Sequence, residues 1–337
     1  MAKKEKAGDA LLCRRNKVGG QAVLEGVMMK SGERVCLVVR KEDGTLARDD
    51  SEYVSVRKKS KFLNLPIIRG GVNFIEMMIL SFKTISRSGE LLGIEDEESK
   101  FEKWLKKKFG ASIMAVIMPI SVVLALALCV GLFFFLPAAA TSLLERFTGE
   151  LDAWLKSVVE GLLKMVIFVA YMLLVTLMPE IRRTFEYHGS EHKSIFCYEK
   201  GLPLTVENVK AQRRFHPRCG TSFMIVMMII SIIIGIFIPW EWADVNVKIL
   251  NILIRMGFKI LLVPLVCGLG YEFLMYAGKH DNIFVKILAA PGLWMQRITT
   301  REPTDDMMEV AIAALKGALP DEFPPEEEKP DGENQNQ

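Results

Sequence analysis

Residues 111–137 read ASIMAVIMPISVVLALALCVGLFFFLP and contain no charged side chain. A helix needs about 20 consecutive apolar residues to cross the roughly 30 Å hydrocarbon core of a bilayer. This stretch is long enough, and three further apolar runs follow it at 158–178, 221–240 and 258–277. Because runs of this length leave little polar surface for water, they favour membrane spans over the core helices of a soluble protein. We therefore predict a mainly α-helical membrane protein with four transmembrane helices.

The charged residues are separated from the apolar runs. The chain has 337 residues, of which 50% are apolar and 25% charged, with a formal net charge of +3. Most of the charge lies in the first hundred residues, in one internal loop and in the last sixty. This segregation excludes a plain globular enzyme, a secreted disulfide scaffold, a coiled coil and a wholly disordered chain. The small net charge forms no basic stripe, so we expect no nucleic-acid partner.

The distribution of lysine and arginine predicts the orientation in the membrane. Basic residues crowd the entry to the first run, the loop 179–220 and the segment after the last run, whereas the other two loops carry few. The first residues are polar, so we expect no signal peptide. We predict a multi-pass plasma-membrane protein with both termini and the loop 179–220 in the cytoplasm. On that reducing side, structural disulfides are not expected from the six cysteines.

The polar N-terminal part predicts a small cytoplasmic β element over residues 17–60. Its expected strands are 35–40 and 53–57, around an Asp-Gly turn. Ahead of them, the glycine-rich stretch 19–29 predicts either a binding turn or the start of a strand, since glycine permits both.

The segments flanking the apolar runs predict surface helices. The first of these segments, residues 62–85, is amphipathic and predicts a helix lying on the membrane, or a re-entrant segment. A second interfacial helix is expected at 283–298, and Asp306 and Glu309 have capping-box spacing for a cytoplasmic helix through about residue 315. The predicted parts are a flexible N-terminus (1–16), the β element (17–60), the amphipathic or re-entrant segment with a basic linker (61–110), the four-span domain (111–278), interfacial and cytoplasmic helices (279–319) and a disordered acidic tail (320–337).

Histidines are the rare residues that cluster on the predicted cytoplasmic side. Three of the four, His188, His192 and His216, lie in the loop 179–220, and His280 follows the last apolar run. Imidazole nitrogen, carboxylate oxygen and thiolate sulfur are the ligands that a zinc-like ion takes. The clustering therefore points to a metal site.

The spacing of His188, Glu191 and His192 is that of the inverted zincin motif. In that motif two histidines four residues apart on a helix bind the metal, and the glutamate activates water. Gly189 and Ser190 are poor residues for a helix interior, however. We expect Ser190 to be the N-cap of a helix, in which case His188 precedes that helix and the periodicity argument fails.

Two further candidate ligands lie at the ends of apolar runs. Cys219 precedes the run 221–240, and Glu272 lies inside the run 258–277, where an ionisable residue is a functional candidate by default. We predict a site for a divalent metal such as zinc, with Glu191 as general base. Its predicted ligands are His188, His192, His216, Cys219 and Glu272. Two alternatives stay open: the histidines are hydrogen-bonding caps, and Glu272 pairs with an arginine of the loop.

Four sequence blocks resemble the signature blocks of the bacterial YqhQ-like family. They are GGQAVLEGVMM (19–29), EYHGSEHKSIFCYE (186–199), FHPRCGTSF (215–223) and PGLWMQRITTREP (291–303). The family consists of uncharacterised membrane proteins, some of them labelled as predicted metal-dependent enzymes. The resemblance, which covers nearly the whole chain, therefore implies a membrane protein and supports a metal site. It supplies no substrate and no catalytic residues.

The sequence supports functions of different classes. The first is a cytoplasm-facing, metal-dependent membrane hydrolase. The second is a non-enzymatic scaffold for membrane-protein insertion or envelope assembly, with a protein partner in the inner membrane. A transporter has less support, because the apolar runs show no repeated halves, although a homo-oligomer could supply a pathway. The lipid bilayer is a partner in every case.

Overall fold

The computed structural model describes Arg14 and residues 17–93, 114–241, 247–277, 280 and 282–324. The predicted flexible N-terminus apart from Arg14, most of the basic linker and most of the acidic tail lie outside the described residues.

The N-terminal part forms an antiparallel sheet in the order β1-β2-β3-β4. The strands are β1 (Val18–Val23), β2 (Gly26–Ser31), β3 (Arg34–Arg40) and β4 (Leu46–Glu52). The strand predicted at 35–40 is confirmed as part of β3. The glycine-rich stretch 19–29 lies in the β1–β2 hairpin, whose turn holds Glu25 at a positive φ of 47°.

The strand predicted at 53–57 is wrong. The chain turns at Gly44, which has a φ of 84°, so that β4 begins directly after this turn and ends before Tyr53. Residues Val56–Lys59 form a short 3-10 helix instead. β4 is an edge strand with exposed and partly buried residues in alternation, so it lacks the apolar run by which β3 was recognised.

Helices make up most of the described chain. They are α1 (Ile68–Leu91), α2 (Met114–Val130), α3 (Leu136–Thr148), α4 (Ala153–Val175), α5 (Pro179–Glu199), α6 (Val206–Lys210), α7 (Gly220–Ile236), α8 (Lys248–Leu261), α9 (Val263–Ala277), α10 (Ile283–Thr299) and α11 (Asp305–Ala318). A π-helical turn at Gly131–Phe135 joins α2 to α3 without a break.

Two of the described helical stretches, Ile120–Thr148 and Ala153–Val175, are long and apolar enough to cross a membrane. A third is available if Ile249–Leu261 and Val263–Ala277, which meet at an angle of 43°, form one broken span. The run predicted at 221–240 forms α7, which is apolar but only 17 residues long. The described helices thus provide two or three candidate spans, which is compatible with a membrane location.

The β-sheet is covered on one face by two helices and on the other by α1. On one face, β2 and β3 pack against α11 and α5 through a buried core that includes Met29, Val38, Tyr187, Val310 and Leu315. On the other face, Leu80 of α1 joins a second core with side chains of β2 and β3. Burial of these apolar side chains is the main force that holds the layers together.

The helix predicted over residues 62–85 is α1, which runs from Ile68 to Leu91 and is amphipathic. One side packs on the sheet, while Ile75, Met78, Ile79 and Phe82 form an exposed apolar row. The first turn of α1 contacts α9 closely, since a Cβ on Gly70 would lie 2.7 Å from the Cα of Gly268. That the row lies on the membrane surface stays a prediction.

The helix predicted from Asp306 is α11, but its start differs. It begins at Asp305 with Thr304 as the N-cap, and no side-chain hydrogen bond caps it. The capping box is therefore absent. Burial against the sheet stabilises this helix, because most of its side chains on one side are buried.

Candidate metal centre

The motif formed by His188, Glu191 and His192 lies on one continuous helix. α5 begins at Pro179, whose fixed φ suits the first helical turn, and continues to Glu199. The expected helix start at Ser190 is therefore wrong. His188 and His192 are four residues apart on the same side of α5, with their ring centroids 4.4 Å apart.

Tertiary contacts explain why α5 continues through Gly189 and Ser190. A Cβ on Gly189 would lie 2.0 Å from the carbonyl oxygen of Arg301, so only glycine permits the segment after α10 to cross here. The backbone N–H of Arg301 donates to the carbonyl of Phe185 at 2.8 Å. The hydroxyl of Ser190 donates to the carbonyl of Tyr187 at 2.7 Å, so that this side chain is satisfied within the helix.

Cys219 joins the two histidines from the opposite side of the site. It is the N-cap residue of α7, and its side chain is buried. Its sulfur lies 3.1 Å from Nε2 of His188. Candidate ligand atoms of His188, His192 and Cys219 all lie within 4.8 Å of one another. The structure thus brings three of the five predicted ligands together.

The two histidine rings are oriented by backbone carbonyls. Nδ1 of His188 lies 2.9 Å from the carbonyl oxygen of Thr299, and Nδ1 of His192 lies 2.5 Å from that of Arg214. A carbonyl oxygen can only accept, so each Nδ1 carries the proton and donates it. In the neutral ring, Nε2 then keeps its lone pair. Histidines that bind metals are held in this way by a second hydrogen bond.

The charges of the site are strongly coupled. Burial raises the pKa of Cys219, but the charge and hydrogen bonding of His188 and His192 outweigh it and hold this pKa well below its ordinary value. Burial lowers the pKa of His188, but the adjacent sulfur of Cys219 outweighs it and raises this pKa to about 9. Without a metal, Cys219 is therefore favoured as a thiolate facing a His188 ring that carries a proton on Nε2. A metal that binds both residues would displace this proton, and the thiolate is the form of cysteine that binds metals.

Glu191 lies beside the ligand atoms and is buried. Burial raises the pKa of its carboxyl group, and one carboxylate oxygen lies 3.8 Å from Nε2 of His188. Gly20 of β1 makes room for it, since a Cβ there would lie 2.8 Å from Cγ of Glu191. Earlier on α5, Arg183 donates two hydrogen bonds to Glu25 of the β1–β2 turn, at 2.6 and 2.5 Å. This pair fixes the β1–β2 hairpin against α5.

His216 lies next to the group but points elsewhere. Its ring centroid is 5.5 Å from that of His192, and its Nδ1 accepts the backbone N–H of Arg218 at 3.3 Å. Its Nε2 is buried, has no hydrogen-bond partner in the described part of the chain, and lies 3.8 Å from Glu199. Gln296 binds the backbone N–H and carbonyl of His216, both at 2.7 Å.

Glu272 is not brought into the group. Its carboxylate accepts two hydrogen bonds from Arg69 of α1, at 2.6 and 2.5 Å, and the backbone N–H of Ile67 lies 3.3 Å away. The sequence left open a pair with an arginine of the loop 179–220, and the arginine is instead on α1. This pair ties α1 to α9.

Substitution of Glu272 by glutamine tests whether this carboxylate binds the metal or only pairs with Arg69. We expect the Glu272→Gln variant to keep its metal content, because the carboxylate binds Arg69. We expect its unfolding temperature in detergent to fall by about 1–3 °C, because the guanidinium loses a charged partner in a pair that is partly exposed. Elemental analysis and thermal unfolding of the same preparation measure both. Loss of metal from this variant would make Glu272 a ligand.

The group opens onto a cavity of about 810 Å³. The ligand residues and Glu191 lie on one wall, and β1, α1 and α9 form the others. Apolar side chains on these walls include Met28, Met77, Leu80 and Leu274. The cavity therefore offers space for a molecule with an apolar part next to the candidate ligands.

Several residues of the site were not singled out from the sequence: Gly20, Gln296, Thr299 and Arg301. Each lies in one of the four sequence blocks, and the fold brings all four blocks to this one place. The four blocks were the signal in the sequence that could have identified these residues. They lie far apart in the chain, yet all of them resemble blocks of the same family.

Fold and site together define a mainly helical protein with membrane-compatible helices and a largely buried His/His/Cys group. The chain belongs to the family described as "Protein of unknown function (DUF1385)", which matches residues 65–321. It is 32% identical over 314 residues to the "Uncharacterized protein YqhQ" of Bacillus subtilis (strain 168), an alignment that covers 89% of this chain and 92% of that protein. The predicted resemblance to a YqhQ-like family is confirmed. No solved structure matches the chain.

Proposed function

We propose that this protein is a membrane metalloprotein that binds one divalent transition metal ion, such as zinc, through His188, His192 and Cys219. The observation that carries the proposal is the orientation of the two imidazole rings. Their Nδ1 atoms donate to backbone carbonyls, and an Nε2 atom and the sulfur of Cys219 are left to converge. A histidine that served only to hydrogen-bond the backbone would not need a thiol next to its other ring nitrogen. In His188, however, Nε2 lies 3.1 Å from the sulfur of Cys219.

The donor set fits zinc chemically. Zinc–nitrogen bonds of about 2.0 Å and zinc–sulfur bonds of about 2.3 Å place ligand atoms of a tetrahedral site roughly 3.3–3.6 Å apart. The 3.1 Å separation of His188 and Cys219 is close to this range, and small rotations of the side chains can close the group. Three protein ligands leave one coordination position open, as in catalytic zinc sites.

We propose further that the activity is hydrolysis. A bound metal of this class supplies a Lewis acid that polarises a substrate carbonyl or phosphoryl oxygen and acidifies water. Glu191 is placed to take the proton of the attacking water and return it to the leaving group. Its carboxylate receives no hydrogen bond from a described residue, so it is free to do this, and one of its oxygens lies 3.8 Å from Nε2 of His188.

The metal content of the purified protein tests this proposal. Protein purified in detergent without chelators is expected to hold about one transition metal ion per chain. The double variant His192→Ala, Cys219→Ser is expected to hold less than about a tenth of that, because one remaining ligand binds weakly. His280→Ala is the matched control, since His280 is exposed and stacks on Tyr276 away from the group. Absence of metal from the wild type, even after incubation with zinc, would contradict the proposal.

A non-enzymatic scaffold is the second candidate, and the exposed apolar row of α1 favours it. Such a row is suited to a membrane surface or a membrane partner. The two candidates separate in cells: a scaffold requires the row formed by Ile75, Met78, Ile79 and Phe82 but not Glu191, whereas a hydrolase requires Glu191.

A further inference from the structure

A buried arginine lies at the end of α7, far from the metal group. Arg255 of α8 is 1% exposed. It donates to the carbonyls of Gly235 and Pro239, each at 3.0 Å, and to the hydroxyl of Ser157 at 2.9 Å. The guanidinium therefore satisfies carbonyl groups that the end of α7 leaves without partners. Its role is structural.

Two lysines accompany this arginine, and one carboxylate faces all three cations. Glu160 of α4 pairs with Lys259 and lies 3.5 Å from Arg255. Lys164, one helical turn after Glu160, lies 4.9 Å above the ring of Phe134. No carboxylate among the described residues is within ion-pair distance of Lys164. The cluster thus carries more positive than negative charge among apolar helices, where an uncompensated charge is costly.

The two lysines of this cluster, Lys164 and Lys259, line an apolar cavity of about 650 Å³. Ser231 of α7 lines it too, and its hydroxyl has no hydrogen-bond partner in the described part of the chain. A Cβ on Gly161 would lie 2.2 Å from Ile232, so this part of α7 sits directly against the turn of α4 that carries the lysine. The other walls include Leu128, Phe133, Phe168, Met228 and Val266.

We propose that this cavity binds an anionic membrane lipid. The phosphate of the headgroup accepts hydrogen bonds from Lys164, Lys259 and Ser231, and the first part of an acyl chain lies along the apolar walls. Charge complementarity argues for an anion, because Lys164, Lys259 and Ser231 line the same cavity and Glu160, the carboxylate that pairs with Lys259, leaves Lys164 without an ion-pair partner among the described residues. The apolar walls argue for an amphiphile rather than a free ion. This site is separate from the metal group and does not depend on it.

Native mass spectrometry of the full chain in detergent tests the proposal. The probes are dioleoyl phosphatidylglycerol, which is anionic, and dioleoyl phosphatidylcholine, which has the same chains and no net charge. The wild type is expected to retain phosphatidylglycerol several-fold better. The Lys164→Gln variant is expected to lose this preference, and Lys164→Arg to keep it. Lys156→Gln is the matched control, since Lys156 lies on the same helix but pairs with Glu145 at 2.7 Å.

Two further experiments test whether the cavity binds a whole lipid or only a free phosphate ion. Met228→Trp keeps every charge but fills the cavity, and it is expected to lower lipid retention. It also replaces Lys164→Gln as the test if that variant does not fold. Inorganic phosphate in millimolar excess is expected to leave lipid retention unchanged. Equal retention of the two lipids, full retention by Lys164→Gln and Met228→Trp, or displacement by inorganic phosphate would each overturn the proposal.

Discussion

Replacement of Glu191 by glutamine is expected to lower the proposed hydrolytic activity at least about a hundredfold while the metal content stays unchanged. Glutamine has nearly the same shape but cannot take a proton from water. It does not disturb the ligands, because the Glu191 carboxylate accepts no hydrogen bond from a described residue. The folded state should tolerate the change, because a neutral amide replaces a buried acid whose pKa is raised by burial.

The measurement uses p-nitrophenyl acetate and bis(p-nitrophenyl) phosphate as probes of ester and phosphodiester hydrolysis. Turnover and metal content are determined on the same preparation. Glu186→Gln is the matched control, since Glu186 lies on the same helix and faces Arg182 at 3.8 Å. It should retain wild-type turnover. Equal turnover of the Glu191→Gln variant and the wild type would exclude Glu191 as general base.

The Gly189→Val variant is expected to lose the packing of α5 against the segment after α10. The added Cβ would lie 2.0 Å from the carbonyl oxygen of Arg301, and backbone cannot move aside cheaply. Overpacking typically costs about 1–3 kcal/mol, and a clash with backbone belongs at or above the upper end. Because Thr299 and Arg301 lie close together in sequence, the carbonyl that orients His188 should move as well, and metal should be lost.

Thermal unfolding in detergent and elemental analysis measure these effects. Gly189→Ala is expected to give a smaller fall in Tm. Gly89→Ala of α1 is the control, because a Cβ there has nothing within 4 Å, and alanine is the better helix former. If Gly189→Ala unfolds at the wild-type temperature, the close crossing at Arg301 is not present in solution.

The elements that sequence predicts well are those specified locally. The long apolar runs, the strand at 35–40 and the amphipathic α1 follow from composition and periodicity within one segment. The candidate ligands His188, His192 and Cys219 were recognised by side-chain chemistry alone. Neither kind of signal requires knowledge of a distant contact.

The errors come from contacts between distant segments. α5 continues through Gly189 because the carbonyl of Arg301 approaches it, and no local pattern carries that information. Glu272 pairs with Arg69, some two hundred residues earlier in the chain. The polar strand β4 forms because it pairs with β3 at the sheet edge. In each case a contact between distant segments decides the outcome, and for α5 and β4 it overrides local propensity.

X-ray absorption spectroscopy at the zinc edge is the most direct test of the metal centre. Protein loaded with zinc should show one sulfur at about 2.3 Å and nitrogen or oxygen ligands at about 2.0 Å, with the multiple scattering of imidazole. The Cys219→Ser variant should lose the sulfur signal, whereas Glu272→Gln should leave the spectrum unchanged. A wild-type spectrum with only oxygen ligands, or a sulfur signal that persists in Cys219→Ser, would contradict a centre formed by His188, His192 and Cys219.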